Sequence, residues 1–137
     1  MKVCFIICTN SDLWFSECRK YIENLIIPEN VEIEIIGIEN ASSMAGGYAV
    51  GCSRTNADYK VYLHQDTFII NRHFIEDIDR IFRSNDEIGV IGMIGSNDVA
   101  KQNISWGDWE CGKVIVCNGY QELKIDYGEI EDPYRVV

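Results

Sequence analysis

Basic residues are scarce in this chain. Twelve lysines and arginines stand against 22 aspartates and glutamates, giving a formal net charge of −10. That imbalance disfavours nonspecific attraction to nucleic acid or to an anionic membrane surface. It also disfavours a bare anionic ligand, unless a cation or a helix amino terminus offsets the charge locally. No apolar run is long enough to cross a bilayer. The opening MKVCFIICTNSD is too short in its apolar part for a signal peptide and has no small-residue cleavage site, so it reads as a first strand. Six cysteines are present, but no C-x-x-C pair. Without a secretory segment, reduced thiols in a cytoplasmic protein are expected, packed as small apolar side chains. There is no G-x-x-x-x-G-K-[ST] phosphate loop and no G-x-G-x-x-G after the first strand, which argues against P-loop and dinucleotide-binding proteins. No G-x-S-x-G elbow occurs, so a hydrolase of the α/β type has no support. Internal repeats and low-complexity tracts are likewise absent.

What is there reads as one domain over residues 1–137. Its 47% hydrophobic and 25% charged content is ordinary for a soluble globular chain. Val3 to Cys8 is a continuous apolar run, the pattern of a strand covered on both faces. Ser11 caps a helix marked by Leu13, Trp14, Cys18, Tyr21, Ile22 and Leu25, and Pro28 closes it. A second strand runs from Val31 to Ile38. The small-residue stretch ASSMAGG then leads into a weak helix over Tyr48–Ala57. Val61 and Leu63 mark a third strand, which ends in the polar triplet His64-Gln65-Asp66. Asn71 caps a helix with Phe74, Ile75, Ile78, Ile81 and Phe82 on its buried face, and a fourth strand is expected over Ile88–Ile94. Asn118-Gly119 between two apolar runs signals a type I′ hairpin. The order predicts a three-layer α/β/α sandwich with a mostly parallel sheet and a C-terminal β-hairpin.

In such sheets ligands sit beyond the carboxyl ends of the strands. Three predicted strands end in polar groups there: Thr9-Asn10, Glu39-Asn40 and His64-Gln65-Asp66. Asn10 and Glu39 carry the hydrogen-bonding groups for a base or ribose. Asp66 offers oxygen to Mg²⁺ or Mn²⁺, which would bridge a diphosphate and offset the acidic background. Each residue also has a plainer explanation. Glu39 and Asn40 serve equally as turn formers, Asp66 as an Asx-turn residue, and His64 as a hydrogen-bonded strand histidine. The glycines of ASSMAGGYAVG fit a flexible connection, and Trp106 and Trp109 fit either a sugar-stacking platform or ordinary core.

The run from Glu39 to Gly95, with its Ser-Met-Ala-Gly-Gly-Tyr segment and His-Gln-Asp triplet, resembles family 2 glycosyltransferases of the GT-A fold. More narrowly, it is similar to a bacterial glycosyltransferase-like subgroup. The resemblance implies a nucleotide-diphospho-sugar across the strand ends and a divalent cation at a D-x-D signature. Asp66 matches the last Asp of that signature, and His64 stands in the first position. Thr9, Asn10, Glu39, Asn40 and Gln65 would line the nucleotide side, and the segment holding Ser43, Met44 and Tyr48 would pass beside the sugar or ribose. The replacement of the first Asp by His64 bears on metal affinity. No catalytic base is matched, since Glu129, Glu131 and Asp132 do not align with one. The resulting expectation is a transferase domain that binds a UDP-sugar-like donor with Mg²⁺ or Mn²⁺ and passes the sugar to a carbohydrate acceptor, with no nucleic-acid partner. It is expected to be a donor-binding part if the enzyme is longer. The competing expectations are a non-catalytic nucleotide-sugar-binding module and a flavodoxin-like phosphoryl-accepting domain.

Overall fold

The structure is a computed structural model that describes residues 1–95, 111–118 and 121–126. The chain forms two compact units, Met1–Ile81 and Phe82–Val137, each described by itself.

The first unit is built on β1 (Lys2–Thr9), which has a strand on either side. Its order is β2 (Glu32–Glu39), β1, β3 (Tyr59–His64), all parallel. The continuous apolar run of β1 is explained by that central place: Val3 through Ile7 are fully buried. Alternate side chains of β1 feed opposite faces of the sheet. Val3, Phe5 and Ile7 pack with Cys18, Ile22 and Leu25 from α1 (Asp12–Glu23) and its exit, and with Ile75 and Ile78 from α3 (Phe74–Ser84). Cys4 and Ile6 pack with Ile38, with Ala57, and with Tyr48 and Cys52 of α2 (Met44–Ser53). Each fully buried Val, Ile or Phe contributes about 1.5–3 kcal/mol over its exposed state, so β1 is the main apolar investment of this unit.

The outer strand β2 carries its first two charges in side-chain pairs, Glu34 also accepting from the Thr55 hydroxyl. Glu32 and Glu34 flank Lys2 of β1, whose ammonium pairs with both at 3.5 and 3.3 Å. α1 begins as the sequence predicts, with Ser11 in extended conformation and its hydroxyl accepting from the Trp14 amide.

α2 departs from expectation. It spans Met44–Ser53, not Tyr48–Ala57, because Ser43 acts as the cap and accepts from the Gly46 amide at 3.1 Å. ASSMAGG is therefore not a loose connection, since its second half is the first turn of the helix. Gly47 and Gly51, one turn apart, are what let α2 lie against β1. A Cβ on Gly47 would stand 2.5 Å from the Cys8 Sγ of β1, and one on Gly51 would overlap Ile6.

In the second unit the strands are antiparallel, in the order β4 (Ile94–Gly95), β5 (Cys111–Asn118), β6 (Gln121–Asp126). The fourth strand expected over Ile88–Ile94 is reduced to β4, whose partner is β5, antiparallel. Glycines at 89 and 92 weaken that run as a strand, and Val90 and Met93 stay largely exposed. β5 and β6 pair from Lys113↔Asp126 to Asn118↔Gln121. Asn118 is thus a paired strand residue, and the turn expected at Asn118-Gly119 falls partly outside the described residues. Trp106, Trp109, Glu129, Glu131 and Asp132 lie outside them entirely. No described helix is long and apolar enough to cross a membrane.

Candidate functional site

The parallel register brings the predicted residues to one edge. Thr9 pairs with Glu39, so β1 and β2 end level with each other. Cys8 pairs with His64, so β3 ends beside them. A cavity of about 110 Å³ opens there, lined by Thr9, Asn10, Ser11, Asp12, Glu39 and Asn40. Pockets for whole small molecules run to about 300–1,000 Å³, so this notch has room for no more than a ring-sized group. Asn10, Glu39 and Asn40 are exposed at its mouth. Asn40 has a φ of 53°, a left-handed conformation that asparagine tolerates better than most side chains. The kink turns the chain out of β2 toward the cap of α2.

Gln65 holds two of these strand ends together. Its Oε1 accepts from the Thr9 hydroxyl at 2.8 Å, the Asn10 amide at 2.9 Å and the Ser11 amide at 3.1 Å. Its Nε2 donates to Asn10 Oδ1 at 2.7 Å. The Gln65 amide is thus engaged within the protein. Thr9 is buried, and its hydroxyl faces Gln65 and the Ser11 carbonyl, so Thr9 borders the notch without presenting that hydroxyl. This bracket was not legible from the sequence. Gln65 has the composition of a ligand-contacting residue and acts as a tie between segments 55 positions apart.

His64 and Asp66 are both exposed at the end of β3. Among the described residues no hydrogen bond or ion pair engages the His64 ring or the Asp66 carboxylate. Register partners share a sheet face, so His64 lies on the α2 side with Cys8. Asp66 lies within a turn closed by the Thr67 amide on the His64 carbonyl. Its charge reaches the α1 side: burial first, and the Asp66 carboxylate second, push the Cys18 thiol up to about 11. Among the described residues no three His, Cys, Asp or Glu side chains form a protein-only metal cluster. The donor set instead suits a cation held by one carboxylate and completed by ligand phosphates, as Mg²⁺ commonly is.

Ser43, Met44 and Tyr48 come to the same edge through the start of α2. Ser43 is the cap, and the Met44 carbonyl accepts from the Cys8 thiol at 3.8 Å. Tyr48 faces inward against Tyr62, ring centroids 5.1 Å apart, and burial raises its phenol. The first turn of α2 has no acidic residue, whereas α1 has Asp12. Its positive end is therefore not cancelled locally. An aromatic row that the sequence reading did not single out flanks the site. Phe68 stacks on Trp14 at 6.1 Å and on Tyr21 at 4.9 Å.

A larger hollow of about 600 Å³ lies at the opposite edge, by Met1, Lys2, Glu29 and Asp58. Several of its polar groups are already matched. The terminal amine donates to the Asn30 carbonyl, the Lys2 amide donates to Asp58, and the Lys2 ammonium is paired as above. It also lies at the amino ends of the strands, where open parallel sheets do not place ligands.

The candidate site is thus that of an α/β protein in which the carboxyl ends of β1, β2 and β3 form one shared edge. The family model described as a glycosyltransferase-like family matches residues 4–137, and the chain belongs to that family. Searches of curated proteins and of solved structures returned no significant match. The parallel three-stranded sheet and its three helices are compatible with a glycosyltransferase fold. Membership supports a general sugar-transfer function, with a sugar donor and an acceptor.

Proposed function

We propose that this chain is the donor-binding domain of a GT-A type glycosyltransferase, a three-layer α/β/α sandwich that takes a UDP-sugar-like donor with Mg²⁺ or Mn²⁺. The observation that carries the reading is the meeting at one sheet edge of Asn10 and Glu39, which line a ring-sized notch, with the His64–Asp66 turn at the end of the neighbouring strand. In this reading the base or ribose enters the notch, where Asn10 donates and Glu39 accepts. The diphosphate lies toward the start of α2, whose unneutralised amide end favours negative charge. Asp66, with its carboxylate free among the described residues, is the protein ligand for the cation, and His64 is the second candidate. When bound, the cation offsets charge on the departing diphosphate. The stacked Trp14, Phe68 and Tyr21 begin two residues from Asp12 and from Asp66, and supply apolar ring surface for a carbohydrate. No described residue is assigned as the base that deprotonates the acceptor.

A second reading keeps the same pocket without transfer, as a nucleotide-sugar-binding module. It is favoured by the absence of an assignable base among the described residues. A panel of UDP-sugars, incubated with the protein and Mn²⁺ and assayed for released UDP, separates the two. Release above the uncatalysed rate supports transfer or its hydrolytic side reaction. UDP binding without release supports the module. Failure of both overturns the nucleotide reading.

A further inference from the structure

The orientation of a side-chain amide is fixed when one of its atoms faces donors that cannot turn. Gln65 is in that position. Two of the three donors at its Oε1 are the backbone amides of Asn10 and Ser11, which have no acceptor alternative. The oxygen of Gln65 must therefore face them, and its nitrogen must face Asn10. Asn10 in turn must present Oδ1 to Gln65, which leaves its own Nδ2 as the outward-facing group at the mouth of the notch. The polarity of an exposed side chain is thus set by a residue 55 positions later. The other polar side chains at that mouth include two carboxylates, Asp12 and Glu39, which accept only.

We propose that Gln65 is a positioning residue that sets the hydrogen-bond polarity of the notch, so that Asn10 offers a donor and selects a ligand ring with a carbonyl oxygen at that point. This rests on the nucleotide reading above and names the discriminating feature of its base: a uracil-type carbonyl is accepted, and the amino group of a cytosine-type ring is rejected. Uracil presents an acceptor where cytosine presents a donor. With Gln65 reoriented or replaced, the fold of the notch stays while its preference changes.

The test is Gln65→Glu. A carboxylate still accepts from Thr9, Asn10 and Ser11, so the bracket between β1 and β3 is kept. It has no proton for Asn10 Oδ1, so the Asn10 amide turns over and donates to residue 65, showing its oxygen to the ligand. The expected result is that wild type binds UDP more tightly than CDP and that Gln65→Glu narrows that preference about tenfold, the worth of one hydrogen bond gained or lost. The added charge weakens both diphosphates alike, so the ratio isolates polarity. Asn10→Ala, which leaves Gln65 in place, narrows the ratio in the same direction. An unchanged UDP-to-CDP ratio in both variants overturns the selection of the base. A ligand-independent readout is hydrogen exchange of the side-chain amides by ¹⁵N-resolved NMR. In wild type the Gln65 amide protons are protected and those of Asn10 exchange freely, and in Gln65→Glu the Asn10 protons become protected. Protected Asn10 protons in wild type overturn the polarity relay even if the variant does not fold. If wild type binds neither UDP nor CDP, the nucleotide reading fails, and the exchange measurement still decides the relay.

Discussion

Gly51 of α2 lies so close to Ile6 of β1 that a single added methyl group would overlap the Ile6 side chain. Ile6 is fully buried and has no room to yield. Alanine is the better helix former by about 1 kcal/mol, so propensity alone favours Gly51→Ala. Overpacking opposes it, at a cost of about 1–3 kcal/mol. The packing effect is expected to win, and urea unfolding is expected to show Gly51→Ala less stable than wild type by up to about 2 kcal/mol net. Equal or greater stability would mean that α2 does not sit this close to the sheet.

Ser43 is expected to matter for folding before it matters for any ligand. Its hydroxyl accepts from the Gly46 amide and caps α2. Ser43→Ala should cost about 0.5–2 kcal/mol, and Ser43→Asp should restore most of it. Thermal melts of the three proteins check this. If Ser43→Ala melts like wild type but loses nucleotide affinity, the residue serves the ligand and not the helix.

Cys18 gives a pH prediction whose sign is definite. Its thiol is almost wholly buried and donates to the Thr67 carbonyl at 3.3 Å. Burial, and behind it the Asp66 carboxylate, raise it from 9.0 to about 11. The folded protein therefore holds this proton where the unfolded chain has lost it. That contribution to stability is fully present below about pH 9 and falls away as pH rises toward 11. Cys18→Ser, which keeps a donor without a comparable titration, should flatten the decline between those values. Denaturant midpoints measured from pH 8 to 11 provide the check. Cys18 should also resist iodoacetamide at pH 8, under conditions that label the exposed Cys117. Rapid alkylation of native Cys18 would contradict its placement.

Much of the first unit was legible because its signals are local. The Val3–Ile7 run, the Ser11 cap and the alternation in β3 each follow from neighbouring residues, and each falls where the sequence places it. The start of α2 was misjudged because Gly46 and Gly47 argue for a loop on propensity. Only the neighbouring sheet reveals Gly47 and Gly51 as spacers for close packing. The run after Ile88 has strand-like composition, but pairing decides a strand, and among its described residues only Ile94 and Gly95 find a partner, in β5. At the site, the strand-end residues were legible as a set because a parallel sheet collects its carboxyl ends. The division of labour among them was not. Gln65 and Thr9 read as ligand contacts, yet they hold each other across β1 and β3. The Trp14–Phe68–Tyr21 row needed two segments to fold together before it existed.

Asp66 carries the central claim, because its carboxylate stands exposed at the shared edge with no partner among the described residues. The most direct test is calorimetric titration of UDP into the protein with Mn²⁺ and with EDTA, repeated for Asp66→Ala. Mn²⁺ is expected to tighten UDP binding to the wild type. Asp66→Ala is expected to lose at least about tenfold of the Mn²⁺-supported affinity, or ~1.4 kcal/mol, while binding in EDTA changes little. UDP binding that ignores both the metal and the substitution would rule out Asp66 as the cation's ligand.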